Sequence, residues 1–170
     1  MNADVRPHRI AGATRTVTQW NDTRAWAALV DGSACPICDR GQPLDVIAVL
    51  ETSWLTMQEK APVRGYACLV LKTHVVELHE LDEPAALAFM RDIRRVSSAL
   101  CKITGAVKLN YEIHGNTLPH LHMHFFPRYR GDAFEGRPID ARAVVQPPYK
   151  PGEFSTLRRE LLDVLTDNAA

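Results

Sequence analysis

His120-Leu121-His122-Met123-His124-Phe125-Phe126 is the stretch on which the reading of this chain turns. Imidazoles alternate with apolar side chains, and on a β-strand successive side chains face opposite sides. The three histidines therefore share one face, while Leu121, Met123 and Phe125 enter a core. Neighbouring histidines stand about 6.6 Å apart at a rise of ~3.3 Å per residue, too far to bond directly but suited to an elongated anion. A neutral imidazole, with an ordinary pKa near about 6.5, is both a nucleophile and an acid–base group at neutral pH. A phosphoryl centre in turn needs donors around its oxygens. The plainer alternatives are polar residues on a half-buried strand, or a histidine-rich metal tract. Flanking Gly115-Asn116-Thr117 and Phe126-Pro127-Arg128 favour the phosphorus site over both.

Outward from this stretch, residues 106–113 and 118–126 read as two strands joined by a short loop through His114-Gly115-Asn116. Three earlier strands, 46–50, 54–57 and 66–71, precede a long helix, and the continuous apolar run in the third suggests a central position. Asp82-Glu83-Pro84 opens the helix Glu83–Thr104 and Gly105 closes it. Its Leu87, Met90, Ile93, Val96, Leu100 and Ile103 recur every three or four residues, which predicts one face packed on the sheet. A short helix is expected over 22–30, capped by Asn21 or Asp22 and stopped at Gly32. Residues 1–17 read as an irregular or extended arm, 129–152 as a surface-wrapping tail, and 155–165 as a last amphipathic helix.

With 170 residues the chain can bury one sizeable core and is too short for two ordinary domains. Twenty Lys and Arg balance twenty Asp and Glu, so charge gives no reason to expect duplex nucleic acid or an anionic membrane as partner. Apolar runs fall far short of the roughly 18 residues that cross a bilayer. The first residues carry arginines but no apolar signal core, so the cytoplasm is the expected location. Among the four cysteines, Cys35-Pro36-Ile37-Cys38 has metal-knuckle spacing, with two structural thiols in a turn as the alternative. Cys68 and Cys101 sit in apolar stretches and read as buried thiols.

Written with φ for an apolar residue, residues 120–126 spell His-φ-His-φ-His-φ-φ, and here the chain resembles the histidine-triad family over about 35–128. The resemblance implies an α+β fold in which a mostly antiparallel five-stranded sheet is packed by a long helix. It divides the chain into an arm with a short helix at 1–34, the family domain at 35–128 and an extension with a terminal helix at 129–170. It further implies a homodimer that binds a nucleotide-like small molecule. The implied chemistry is hydrolysis at an α-phosphorus through a nucleotidyl-histidine intermediate, on a dinucleoside polyphosphate or a nucleoside phosphoramidate. Transfer to phosphate or a sugar phosphate, or a non-catalytic zinc-ordered nucleotide-binding module, are the alternatives.

Position by position, His122 matches the family's nucleophile and His124 the histidine that contacts the phosphate or helps the leaving group. Asn116 and Thr117 match the polar pair that holds the α-phosphate, and Asn110 resembles the Asn or Gln lining the same pocket. His114 remains open between a loop hydrogen-bonder and a phosphate ligand. Leu71-Lys72-Thr73-His74 resembles the Pro-Lys-x-His segment whose histidine, in zinc-binding branches, is a ligand together with the first triad histidine. Cys35, Cys38, His74 and His120 would then form a closed Cys2His2 set for structural zinc, clamping the amino-terminal part onto the catalytic strand without activating water. Two positions depart from the family pattern. Tyr66 stands where many of these hydrolases have a fourth histidine, and Met57-Gln58-Glu59 occupies the region of the acidic ribose-holding residue.

Overall fold

Five strands form one antiparallel sheet: β1 (Val46–Val49), β2 (Ser53–Thr56), β3 (Ala67–Leu71), β4 (Lys108–Ile113) and β5 (His122–Arg128). The computed structural model describes residues 19–140 and 148–167. The arm expected over 1–17 and part of the expected 129–152 tail lie outside them. Strand order across the sheet is β1-β2-β3-β5-β4, so the apolar run of β3 is central, and all its residues are buried.

The register sorts the side chains. Val70 lies opposite His122, Cys68 opposite His124, Leu69 opposite Met123, and Glu112 opposite His124 on the other side. One face therefore carries Leu55, Leu69, Leu109, Met123 and Phe125 into the main core, which also takes Leu121. The other carries Cys68, Val70, His122 and His124, covered in part by Cys35 and Ile37. Strand β5 starts at His122 and not at the expected residue 118. Pro119 has no N–H, His120 N–H turns back to the Leu118 carbonyl at 2.9 Å, and Leu121 N–H donates to Val75 outside the sheet ladder.

Helices α1 (Thr23–Val30) and α2 (Pro36–Arg40) precede the sheet, while α3 (Glu83–Thr104) and α4 (Glu153–Asp167) pack against each other on its core face. Asp22 and Asp82 cap α1 and α3, each accepting the backbone N–H three residues on, and Gly105 ends α3 in the left-handed region. Helix α4 buries Leu157, Leu161 and Leu165, one every four residues.

The phase of α3 differs from the expected one. Leu87 and Met90 are 55% and 50% exposed, whereas Phe89, Ile93, Val96 and Leu100 are buried. At roughly 100° per residue, Met90 and Leu87 fall about 120° and 180° away from Val96. Cys101 lies on that same outer flank and is exposed, correcting the expectation of a buried thiol. Cys68 is buried as expected, and burial pushes its thiol up to about 12, so it packs as a neutral group. Asp92 is also buried, accepting from Thr52 N–H, Thr52 Oγ1 and Ser53 Oγ at 2.9, 2.9 and 2.6 Å. It pins the β1–β2 turn to the helix. Among the described residues, no helix is long and apolar enough to cross a membrane.

Candidate functional site

Two side-chain clusters flank the start of β5. In the first, Cys35 caps α2 with Pro36 in the opening turn, and Gly41 ends the helix in the left-handed conformation. One helical turn thus brings Cys35 and Cys38 to the same place, opposite His74 after β3 and His120 before β5. The four offer ligand atoms that all lie within 4.8 Å of one another. His74 Nδ1 and His120 Nδ1 are 3.2 Å apart, Cys38 Sγ is 3.3 and 3.8 Å from them, and Cys35 Sγ is 3.5 Å from His120 Nδ1. A tetrahedral zinc with bonds of about 2.0–2.3 Å separates its ligands by roughly 3.3–3.8 Å, so the donor set fits that ion.

The outward nitrogens support the same geometry. His74 Nε2–H donates to the Val30 carbonyl at 2.9 Å and His120 Nε2–H to the Leu71 carbonyl at 2.8 Å. A carbonyl only accepts, so both rings are held in the tautomer whose bare Nδ1 faces the centre. Burial lowers the pKa of His120 and favours its neutral form. Gly32, at φ 85°, runs beneath His74, where a Cβ would lie 3.2 Å from the ring.

The second cluster is a cleft of about 590 Å³ lined by His122, His124, His114, Asn116, Thr117 and Glu112, a size suited to a small-molecule ligand. A larger hollow of about 720 Å³ lies between α3 and β4 and is lined by no histidine. His122 Nδ1–H donates to the carbonyl of His120 at 2.6 Å, which leaves Nε2 with its lone pair. His124 has a different partner. Its Nδ1 meets the Tyr66 hydroxyl at 2.7 Å, a group that both donates and accepts, so this bond orients the ring toward the cleft wall without dictating its tautomer. Burial keeps the phenol protonated by raising its pKa. Burial likewise lowers His122, and burial with the nearby His122 and His114 brings His124 down to about 4, so both rings are neutral at pH 7. Their centroids are 4.7 Å apart and their planes nearly perpendicular at 89°. The His122 lone pair and the His124 ring therefore stand side by side in one cleft, where a nucleophile and a hydrogen-bonding neighbour can serve attack on an electrophile bearing anionic oxygens.

Asn116 and Thr117 reach this cleft as expected, but Asn110 does not. It lies on the same face of β4, nearer Arg128, whose Nη1 donates to its Oδ1 at 2.6 Å. Sequence reasoning passed over Glu112, Lys60, Ile139 and Asp140, which also line the cleft. Glu112 carried a signal, being two residues before His114 on one strand face. Ile139 and Asp140 carried none. They return to the cleft because Arg128 gathers Asp132 at 2.9 and 2.8 Å, together with the carbonyls of Phe134 and Arg137, into a knot beneath the tail. His79, in a single 3-10 turn ahead of α3, is exposed and lies apart from both clusters.

Beyond geometry, the HIT domain model matches residues 40–131, more than half of the chain. The chain belongs to the histidine-triad (HIT) family. A histidine triad protein of Bradyrhizobium japonicum is 33% identical, with 71% of this chain and 89% of that one covered at a TM-score of 0.62. A zinc-bound HIT protein of Mycobacterium smegmatis is 22% identical, covering 81% and 99% at a TM-score of 0.58. Diadenosine triphosphate hydrolase of Plasmodium falciparum is 13% identical, covering 72% and 75% at a TM-score of 0.51. At these last two identities the likeness concerns the HIT fold. A search of curated proteins returned no match. The α+β architecture, one antiparallel sheet with the long α3 packed on it, is that of the HIT family.

Proposed function

We propose that this HIT protein hydrolyses a nucleotide-like substrate at its α-phosphorus through a nucleotidyl-histidine intermediate on His122. The observation that carries the reading is the hydrogen bond from His122 Nδ1–H to the His120 carbonyl, which leaves on Nε2 the lone pair that nucleophilic attack needs. His124 Nε2–H, with Asn116 and Thr117, holds the phosphate oxygens as charge builds on them. Water then releases the nucleoside monophosphate. Dinucleoside polyphosphates and nucleoside phosphoramidates are the candidate substrates, and the hydrolase among the solved HIT neighbours supports the first. Incubation followed by rapid acid quench and intact-mass measurement should reveal a nucleotidyl adduct on His122. His122→Ala should lose all turnover while keeping its fold and metal, and activity in that variant would sink the assignment. Transfer in place of hydrolysis would appear as a second, phosphorylated product when inorganic phosphate is added.

Cys35, Cys38, His74 and His120 would hold the zinc, whose chemistry here is a structural cross-link with no open coordination position. The zinc-bound neighbour supports this assignment. For assembly we propose a homodimer formed through α3 and the edge strand β4. There Met90 and Tyr111 line the larger hollow and, like Leu87 on the same helix, are about half exposed, beside what is an edge of the sheet among the described residues.

A further inference from the structure

Glu112 and His114 form an acid–base pair in the cleft that the mechanism above leaves idle. His114 Nε2–H donates to Glu112 Oε2 at 2.9 Å. Glu112 stands directly across β4–β5 from His124, and the His114 ring centroid is 5.4 Å from that of His124, which is 4.7 Å from His122. The three imidazoles therefore run in a row along one wall, with the carboxylate behind the outermost. The inner two are already employed. His122 spends its lone pair on phosphorus and its Nδ1 proton on a carbonyl, and His124 takes the Tyr66 hydroxyl at Nδ1. With Nε2 of His122 facing phosphorus and Nε2 of His124 facing the phosphate oxygens, neither ring has a nitrogen left for a departing group. The side chain of His114 is 48% exposed, so solvent reaches its ring. Its bond to Glu112 orients the ring and occupies Nε2, leaving Nδ1 outside that bond.

We infer that His114, oriented by Glu112, donates the proton to the leaving group and afterwards accepts one from the hydrolytic water. The inference rests on the nucleotidyl-histidine reading and adds the proton path to it. In the first step the His122 Nε2–P bond forms as the bond from phosphorus to the leaving atom breaks. That atom takes the Nδ1 proton of His114, leaving His114 neutral with Nε2–H still on Glu112. In the second step water attacks phosphorus, its proton passes to His114 Nδ1, and the N–P bond breaks to return His122 as a neutral base. The net change is one water split between the nucleotide and the leaving group. A carboxylate that holds the far side of an imidazole while its near side moves a proton is the arrangement serine hydrolases use, with the carboxylate itself staying ionised. The consequence is a preference: the relay matters most for a leaving atom too basic to depart without a proton, such as the amine of a nucleoside phosphoramidate.

Two probes separate this role from a structural one: the p-nitrophenyl ester of adenosine 5′-monophosphate, whose leaving group needs no proton, and an alkyl phosphoramidate of the same nucleotide, whose amine does. Leaving-group release is measured in single turnover on full-length, metal-loaded protein. His114→Asn is expected to lose about 100-fold or more on the amidate and no more than about 10-fold on the ester. Glu112→Gln should show the same asymmetry at smaller size, and added imidazole should restore part of the amidate rate to His114→Gly. Equal losses on both probes, or no rescue, overturn the relay. Wild-type protein that cleaves neither probe overturns the hydrolase reading, and the relay falls with it. Wild-type cleavage of both, abolished by His122→Ala, leaves the first reading standing whatever His114 does.

Discussion

At the scale of single residues, the protein gives two identical side chains on one strand different partners. His122 and His124 have the same chemistry and alternate in the same register, yet the Nδ1 of His122 meets a carbonyl, which only accepts and so leaves the lone pair on Nε2, while the Nδ1 of His124 meets a phenol, which both donates and accepts. Tyr66→Phe removes the phenolic partner that orients the His124 ring. kcat/KM should fall about fivefold, the worth of roughly 1 kcal/mol for one neutral hydrogen bond, and an unchanged value would mean that turnover does not depend on that orientation. The folded-state pKa of His124, about 4, lies below its unfolded value of 6.5. Between those values the unfolded chain binds a proton that the native state refuses, so this residue's contribution is intact above about pH 6.5 and lost as pH falls toward 4. Melting temperature against pH should therefore decline more steeply in that window for wild type than for His124→Asn. The alternation of His120 to His124 made the shared face and the buried Leu121, Met123 and Phe125 legible in sequence. The partner of His124 was not, because Tyr66 is 58 positions away and only the folded sheet brings them together.

Local signals made the elements legible and left their orientation open. Caps and stops act within one turn, which is why Asp82, Pro84 and Gly105 fixed the ends of α3 in the sequence reading. The buried stripe is different. Apolar residues occur nearly all round this helix, and which arc faces the sheet depends on partners elsewhere, including the acidic Asp92 at a core position. Asp92→Ala would strand the buried Ser53 hydroxyl and the Thr52 N–H, costing about 1–3 kcal/mol, as urea denaturation would report. Asn110 failed for a related reason: its face was right, but Arg128 holds it at the other end of β4. In the α1–α2 connection, Gly32→Ala should cost about 1–3 kcal/mol from its left-handed backbone alone. The added methyl group also presses on His74, so metal content measured by mass spectrometry should drop along with stability.

For the whole molecule, a metal held by the proposed set of Cys35, Cys38, His74 and His120 would tie residues 35–38 to the ends of β3 and β5, and ligand binding energy of this kind is folding energy. Stripping the metal with a chelator, or His74→Ala, should lower the melting temperature on the order of 10 °C. Turnover should persist below the new transition, since the cleft histidines are not ligands. A protein with no bound metal as purified, and no response to chelator, would refute the clamp. Met90→Asp puts a charge on the exposed flank of α3 and should shift the mass measured by light scattering from dimer to monomer; a monomeric wild type would instead remove the proposed interface.

His120 reaches both clusters at once, its ring toward the cysteines and its carbonyl toward His122. The two duties draw on different parts of the residue: any amino acid has a carbonyl, and only the ring is specific to histidine. A descendant lineage that fastened residues 30–40 by packing alone is therefore free to discard the imidazole, and with it the proposed metal site, while inheriting the bond that orients His122.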